Sequence, residues 1–324
     1  MAQTLLDIRG LKVQFHTSLG VVRAVDGVDL EVGSQEIIGL VGESGCGKST
    51  VAHAITRLVP SPPGKITAGQ IRYKGQDLLQ LTEKEMRSRI RGREIAMVFQ
   101  DPMTYLNPVM KVRAQLTETL EVHQGLTNSE AGRRAVELLE RVHIASPQRV
   151  AQSYPHELSG GMRQRVLIAM AISCNPGMLI ADEPTTALDV TVQAQILKLL
   201  KELVSDLQGS LLLITHDLGI VAELCDRVYV IYCGKVIEHG NVYQIFETPG
   251  HPYTIGLLRS ALSIDEMKDD LVTIEGQVPN LMAPPSGCTF HPRCAYCMDI
   301  CRQQEPEPVA AGKGHHVWCF RDMA

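Results

Sequence analysis

The segment Gly42–Ser49 (GESGCGKS) constrains the fold of this chain more than any other feature of the sequence. It has the spacing G-x-x-x-x-G-K-S, follows the apolar run 36–41 (EIIGLV), and precedes a stretch with a helical pattern at 48–58. Glycines in such a loop let backbone N–H groups turn toward phosphate oxygens, and the helix N-terminus adds positive potential. The sequence therefore predicts a strand, a phosphate-binding loop and a helix, in this order.

The side chains of this loop are predicted to hold the phosphates and the metal ion of a nucleoside triphosphate. Lys48 can reach the β- and γ-phosphates, and the Ser49 hydroxyl is placed for Mg²⁺. The remaining predicted phosphate contacts are Gly42, Ser44, Gly45, Cys46, Gly47 and Thr50.

Two carboxylates follow a second predicted strand. The run Met178–Ala181 is short and apolar, which is typical of a buried strand, and Asp182 and Glu183 come directly after it. Asp182 is predicted to hold Mg²⁺ through water, and Glu183 to orient or deprotonate an attacking water. A solvated acidic pair is the purely structural alternative. The phosphate loop in the same chain favours hydrolysis of a nucleoside triphosphate.

The order of the remaining patterns predicts the domain organisation. Strands alternate with helices, which favours an α/β fold with a largely parallel sheet, whereas residues 110–171 read as helices. From about residue 264 the chain is rich in proline and cysteine, with little periodicity. We therefore expect a domain at 1–263 with a helical insertion at about 101–175, and a small irregular extension at 264–324.

Charge and hydropathy limit the partners and the location that we expect. The net charge is −5 and no basic block dominates, so nucleic acid is not an expected partner. No apolar stretch reaches the ~18–20 residues that a membrane-spanning helix needs. The first ten residues lack the pattern of a signal peptide. These features predict a cytosolic protein, in which thiols are kept reduced.

Five of the nine cysteines lie near the C-terminus, and this clustering suggests a metal centre. Because structural disulfides are disfavoured in the cytosol, the alternatives are a zinc ion, an iron–sulfur cluster or unligated thiols. His291, His315 and His316 could complete a zinc site. The five cysteines are Cys288, Cys294, Cys297, Cys301 and Cys319.

The segment Leu158–Arg165 (LSGGMRQR) resembles the signature of the ABC ATPases, LSGGQ followed by RQR. Met162 replaces the usual glutamine, while the three residues before it are kept. Other motifs of this family match in chain order. They are Phe15 for the adenine-stacking aromatic, Gln100 for the Q-loop, Ala187–Asp189 for the D-loop and His216 for the switch histidine.

The resemblance implies a phosphate-loop ABC ATPase with a RecA-like core, an antiparallel β-subdomain, an inserted helical lobe and a small irregular cysteine-rich C-terminal extension. Two such subunits pack head to tail in this family. Ser159, Gly160 and Gly161 would then complete the ATP site of the partner, and Asp189 would lie at the dimer seam. The implied catalytic residues are Lys48, Gln100, Glu183 and His216. Gln100 is also an implied Mg²⁺ contact.

The tail resembles the C-terminal extension of oligopeptide and dipeptide importer ATPases. The similarity is carried by 287–294 (GCTFHPRC), by two later cysteines, and by 251–258 (HPYTIGLL). Members of this group carry a 4Fe-4S cluster on four such cysteines, which implies Cys288, Cys294, Cys301 and Cys319, with Cys297 as an alternative ligand.

The same resemblance implies a function and a set of partners. We expect the ATP-hydrolysing subunit of an importer of dipeptides or oligopeptides, at the cytoplasmic face of the membrane. Its partners would be a second, distinct ABC ATPase, two transmembrane permease subunits and, indirectly, an extracytoplasmic peptide-binding protein. Nickel import, glutathione import and a soluble ABC ATPase are the alternatives.

The loop at 101–108 (DPMTYLNP) is the expected docking place for a membrane subunit, because a helix of that subunit docks beside this loop in importers of the family. Tyr105 and Leu106 are the expected contacts. Packing under the helical lobe is the alternative role for both side chains.

Overall fold

The computed structural model describes residues 3–186, 188–265 and 274–321. The chain forms two compact units, one made of residues 1–80 and 214–324 and the other of residues 81–213. The helices and strands confirm the expected mixture of α and β structure. No helix within the described ranges is both long and apolar enough to cross a membrane.

An antiparallel sheet dominates the first 80 residues, with strand order β2-β1-β4-β5. In β1 the fully buried side chains are Leu6, Ile8, Leu11 and Val13, and a register shift between Ile8 and Leu11 keeps them on one face despite the odd spacing. The elements are β1 (Thr4–Thr17), β2 (Gly20–Gly33), β3 (Ile37–Val41), α1 (Lys48–Ile55), β4 (Gly64–Tyr73) and β5 (Gln76–Asp77).

The second unit is mainly helical, with helices between residues 102 and 171. Helix α5 begins three residues before the predicted start at Ala131, because Thr127 and Glu130 form a capping box at its N-terminus. The elements are α2 (Glu83–Glu85), a π-helical turn (Met86–Ile90), β6 (Ile95–Val98), α3 (Pro102–Tyr105), α4 (Val112–Gln124), α5 (Asn128–Arg141), α6 (Pro147–Gln152), α7 (Gly160–Ala171), β7 (Met178–Asp182), α8 (Val190–Asp206) and β8 (Ser210–Thr215).

The chain returns to the first unit within β8. There β9 pairs in parallel with β3, and β10 pairs antiparallel with β9. The tail adds two strands to this sheet, since β12 pairs with β10 and β11 pairs with β12. The sequence pattern of the tail, which has little periodicity, did not predict these two strands. The elements are α9 (Leu218–Leu224), β9 (Arg227–Tyr232), β10 (Lys235–Asn241), α10 (Val242–Glu247), α11 (Pro252–Asp265), α12 (Asp299–Gln303), β11 (Val309–Gly312) and β12 (His315–Val317).

Candidate nucleotide site and cysteine pocket

The phosphate loop connects β3 to α1, as its sequence predicts. Gly47 has φ 105°, and a Cβ added there would lie 2.2 Å from the Ala24 carbonyl oxygen, so only glycine fits. Lys48 is buried, and its Nζ donates to the carbonyl oxygens of Gly42 at 2.7 Å and Glu43 at 3.0 Å. The loop therefore holds the ammonium group against its own backbone, which fixes the position of this charge.

The other predicted residues of the loop differ in exposure. Ser44 and Gly45 are exposed, whereas Ser49 and Thr50 are half-buried in the first turn of α1. Cys46 is fully buried, and burial raises the pKa of its thiol, which keeps the thiol neutral. Ser44, Ser49 and Thr50 are thus at least partly accessible to solvent.

Two further predicted residues lie in the same unit as the loop. Phe15 is half-buried near the end of β1, and its ring faces Gly64, where an added Cβ would lie 2.8 Å from the ring. His216 directly follows β8 and is exposed. Their proposed contacts with adenine and γ-phosphate remain predictions.

The second unit brings Gln100 and Glu183 together. Strands β6 and β7 pair in parallel with Val98 opposite Ala181, so the residues that follow the two strands emerge at the same edge. Gln100 Nε2 donates to Glu183 Oε2 at 2.9 Å, and Thr186 Oγ1 donates to the same oxygen at 3.0 Å. The sequence identified Gln100 and Glu183 separately but indicated neither this bond nor the role of Thr186.

Glu183 also has an uncommon backbone conformation. Its φ is 45°, in the left-handed region that side chains other than glycine rarely adopt. Asp182, the preceding residue, is 4% exposed at the end of β7. Strained backbone of this kind is concentrated at functional sites, where it directs a side chain into a required position. Here it accompanies the turn that orients the Glu183 carboxylate toward Gln100.

The glycine-rich signature starts helix α7. Ser159 is its N-cap, and its Oγ accepts from the Met162 N–H at 3.3 Å. A Cβ added at Gly161 would lie 2.6 Å from a methyl group of Val192, so this glycine is also required for packing of α7 against α8. Gly161 therefore has a packing role in addition to its predicted contact with phosphate.

The D-loop region is only partly described. Ala187 lies outside the described residues. Asp189 caps α8, because its Oδ1 accepts from the Val192 N–H at 2.9 Å. Its predicted position at a dimer seam stays a prediction.

The structure separates the two residues expected to contact a membrane subunit. Leu106 is 2% exposed, so the prediction that it contacts another subunit is wrong and its role is packing inside the helical unit. Tyr105 is 44% exposed, and its ring stacks on Phe99 with 3.9 Å between the ring centroids. Only Tyr105 remains a candidate contact.

Four of the five tail cysteines line one small pocket. These are Cys288, Cys294, Cys301 and Cys319, whereas Cys297 is not among the lining residues. The Cys288 N–H donates to the Cys301 carbonyl oxygen at 2.8 Å, which ties two of the segments together. Burial raises the pKa of the Cys288 thiol to about 11 and also raises the pKa values of Cys294 and Cys319. Burial thus disfavours the thiolate form of these three cysteines.

The histidines of the tail also differ in whether they line this pocket. His291 lines the pocket, and its Nδ1 lies 3.0 Å from the Cys288 carbonyl oxygen. His315 Nε2 instead lies 2.8 Å from Oε1 of the buried Glu238, and neither His315 nor His316 lines the pocket. Among residues 3–186, 188–265 and 274–321, no group of three or more His, Cys, Asp or Glu side chains is arranged to hold a single metal ion. The zinc alternative stays a prediction, with His315 and His316 outside the lining of this pocket.

Sequence reasoning missed Arg293 as a functional candidate. Its side chain forms an ion pair with Glu43 of the phosphate loop at 2.7 Å. The available signal in the sequence was a cationic residue directly before Cys294. Its partner Glu43 could not be inferred, because it lies 250 residues away in sequence.

Two protein families match this chain. Residues 25–186 match the family described as ABC transporter, and residues 237–301 match the family described as oligopeptide/dipeptide transporter, C-terminal region. The first match covers the phosphate loop, the acidic pair and the glycine-rich signature. The second covers most of β10 and the tail cysteines up to Cys301.

Relatives are similar over nearly the whole length. The oligopeptide transport ATP-binding protein OppD of Bacillus subtilis is 49% identical over 314 residues, which are 97% of this chain and 87% of that protein. OppD of Salmonella typhimurium is 46% identical over 322 residues, 99% of this chain and 95% of that protein.

Solved structures of ATP-binding cassettes share the fold. The dimeric cassette MJ0796, in a post-hydrolysis state bound to ADP and Pi, aligns with a TM-score of 0.65 and 27% identity over 73% of this chain and 98% of that chain. The protein cbiO1 from Clostridium perfringens, part of the transporter complex cbiONQ, aligns with a TM-score of 0.63 and 29% identity over 76% and 92%. The expected fold class is thereby confirmed. This chain belongs to the ABC transporter family, as an ATP-hydrolysing subunit that carries the C-terminal region of the oligopeptide and dipeptide transporters.

Proposed function

We propose that this chain powers the import of dipeptides or oligopeptides across the cytoplasmic membrane by hydrolysing ATP. The observation that carries the proposal is the similarity to oligopeptide transport ATP-binding proteins over 97–99% of the chain. The match of residues 237–301 to the C-terminal region of oligopeptide and dipeptide transporters supports it. The intact Gln100–Glu183 pair supports hydrolytic competence.

Each predicted residue of the nucleotide site has a separate task in this proposal. Lys48 binds the β- and γ-phosphates, Phe15 stacks on adenine, and His216 contacts the γ-phosphate. Ser49, Asp182 and Gln100 are the residues that would hold Mg²⁺. When bound, this ion neutralises phosphate charge and so favours the attack of water on phosphorus.

Glu183 acts on the attacking water. Its carboxylate accepts a hydrogen bond from the water and takes up the proton as the new P–O bond forms, while the bond between the γ-phosphorus and the leaving ADP oxygen breaks. Gln100 and Thr186 both donate to Oε2 of Glu183, which holds the carboxylate in one orientation. A change at Gln100 therefore alters the position of the base as well as any metal contact.

The signature and the D-loop act on a second ATPase. We propose a head-to-tail pair in which Ser159, Gly160 and Gly161 contact the nucleotide of the partner, with Asp189 at the seam. The dimeric arrangement of MJ0796 supports such a pair. The proposed partner ATPase is a distinct homologue of this chain. The complex also contains two transmembrane permease subunits, works with an extracytoplasmic peptide-binding protein, and places this chain at the cytoplasmic face of the membrane. A nucleotide that binds the closed pair preferentially shifts the population toward it.

The test is transport by the complete complex in proteoliposomes. We expect ATP-dependent uptake of a labelled dipeptide or pentapeptide in the presence of the binding protein, with uptake lost when Lys48 is replaced by Ala. Labelled glutathione and nickel are measured in parallel. Uptake of either of these without uptake of peptides would refute the peptide assignment.

Replacing Tyr105 with Arg tests the proposed contact with a permease subunit. We expect loss of most transport with the ATPase activity of the isolated subunit kept within about twofold, because the exposed ring lies outside the hydrolytic residues. The matched control is Tyr243→Arg, which changes another exposed tyrosine, in the other unit. Transport that survives Tyr105→Arg would exclude this contact.

We also propose that the cysteine pocket holds a 4Fe-4S cluster. Four thiols around one pocket fit the four-cysteine requirement of such a cluster. A cluster of four irons keeps its thiolate ligands apart, so they need not converge on one point as they do around a single ion. The position of Cys297 outside the lining favours the set Cys288, Cys294, Cys301 and Cys319. The bound cluster would hold the thiols as thiolates and tie the tail together.

Metal and sulfide analysis of anaerobically purified protein checks this proposal. We expect about four irons and four sulfides per chain, with the visible absorption of an iron–sulfur cluster. Cys301→Ser is expected to lose most of the iron, whereas the matched variant Cys297→Ser keeps it. Zinc instead of iron, or equal iron loss in the two variants, would contradict the proposal.

A further inference from the structure

The cysteine-rich tail contacts the phosphate loop through one buried arginine. The Arg293 side chain is 4% exposed and donates to both carboxylate oxygens of Glu43, Nη1 to Oε2 at 2.7 Å and Nη2 to Oε1 at 3.0 Å. Glu43 is the second residue of the phosphate loop. Two parallel bonds between a guanidinium and a carboxylate form a strong and directional contact. A residue of the tail thus fixes a side chain of the loop.

Other groups hold the guanidinium of Arg293 in this place. Its Nε donates to the Glu275 carbonyl oxygen at 3.0 Å, and its Nη2 donates to the Ile274 carbonyl oxygen at 3.2 Å. The Tyr232 hydroxyl lies 3.4 Å from Nη1. The hydrogen bond to Glu43 raises the pKa of Arg293, so the charge is permanent at physiological pH. The cation is therefore positioned before any ligand arrives.

The backbone of Glu43 is held from the same side. Its N–H donates to the Tyr253 hydroxyl at 2.8 Å. The rings of Tyr232, Tyr253 and Phe290 pack on one another, with centroids 4.7 to 5.4 Å apart. Phe290 lies three residues before Arg293, so this aromatic cluster joins the tail to the start of the loop.

The charge of Glu43 bears directly on phosphate binding. Lys48 donates to the carbonyl oxygen of Glu43, so the cation assigned to phosphates and this carboxylate belong to the same short loop. A bare carboxylate at this place would repel the charged phosphates, and the repulsion is strong where solvent is partly excluded. Arg293 cancels that charge.

We propose that Arg293 is a positioning residue for nucleotide binding, which neutralises Glu43 and holds the phosphate loop, so that the C-terminal tail sets the affinity for ATP. This inference rests on the proposed role of the loop in binding ATP. It extends that role, because it makes the tail a determinant of the nucleotide site.

Equilibrium binding of a fluorescent ATP analogue to the full chain tests this inference. Arg293→Met removes the charge but keeps an apolar stem, and we expect the Kd to rise about tenfold. Arg293→Lys keeps the charge without the two parallel bonds, and we expect a rise of at most about threefold. Removing the opposing carboxylate in Arg293→Met/Glu43→Gln is expected to restore the Kd to within about threefold of the wild-type value, since the repulsive charge is gone.

Matched controls separate this inference from the proposed role of the loop. Arg302→Ala changes an exposed arginine of the same tail and should leave the Kd within about twofold of the wild-type value. Lys48→Ala should abolish binding. Equal binding by wild type and Lys48→Ala would refute the role of the loop, whatever Arg293 does.

Three results would overturn the inference itself. These are an unchanged Kd in Arg293→Met, equal Kd values for the Lys and Met variants, and no recovery in the double variant. If Arg293→Met does not fold, as judged by the fluorescence of the single tryptophan, Trp318, then Glu43→Gln alone decides. It should bind ATP at least as tightly as wild type, and binding more than about threefold weaker would overturn the inference.

Discussion

Replacing Glu183 with Gln is expected to lower the rate of ATP hydrolysis by roughly 10²–10⁴-fold while ATP binding persists. A glutamine amide keeps the size of the side chain but cannot accept a proton from the attacking water. It also replaces one of the two carboxylate oxygens of Glu183, whose Oε2 accepts hydrogen bonds from Gln100 and Thr186. The measurement is phosphate release by the complete ATPase pair at saturating ATP, together with the Kd for the nucleotide.

Glu202→Gln serves as the matched control for this prediction. Glu202 lies on α8 of the same unit, is 44% exposed and pairs with Lys198 at 3.9 Å, so its replacement should leave hydrolysis unchanged. Hydrolysis by Glu183→Gln above about a tenth of the wild-type rate would exclude Glu183 as the principal base. Loss of ATP binding in the same variant would mean that the residue acts mainly on the structure of the site.

The second large effect is expected on stability, from Glu238→Ala. Glu238 is fully buried and accepts hydrogen bonds from the N–H groups of Gly250 at 2.7 Å and His251 at 2.9 Å, and its Oε1 lies 2.8 Å from Nε2 of His315. Removing the carboxylate leaves the buried His315 ring and the N–H groups of Gly250 and His251 without their partner. We expect the free energy of unfolding to fall by about 3–5 kcal/mol.

Urea unfolding followed by the fluorescence of Trp318 measures this change locally. Trp318 is the single tryptophan, and its backbone N–H donates to the Ile237 carbonyl oxygen at 2.9 Å, next to Glu238. Glu305→Ala is the matched control, because Glu305 is 57% exposed and pairs with Lys235 at the surface. We expect that control to cost less than about 1 kcal/mol. If Glu238→Ala lowers the free energy of unfolding as little as the control does, the buried contacts of Glu238 are not a major source of stability.

Local patterns in the sequence were enough for the individual functional segments. The phosphate loop, the acidic pair after β7 and the glycine-rich start of α7 all depend on residues within a few positions of one another. Spacing, strand length and helix capping operate over this range, so they can be read along the chain. The resemblance to the ABC ATPases rested on these segments, and it was confirmed by relatives at 46–49% identity.

Contacts between distant residues needed the tertiary structure. Gln100 and Glu183 are 83 residues apart and meet because β6 and β7 pair in parallel in one particular register. Likewise, Leu106 and Tyr105 are neighbours in sequence, yet one is buried and the other exposed. Periodicity in so short a helix does not decide which side chain faces the core.

What the sequence determined by itself was the chemistry: a loop for phosphates, two carboxylates after a strand, and a set of thiols near the C-terminus. The tertiary structure decided which of these groups work together. It placed four of the five tail cysteines around one pocket and joined Arg293 to Glu43 across 250 residues. The physical reason is that the type of a residue fixes what it can bind, whereas strand register and side-chain packing over long sequence separations fix its partners.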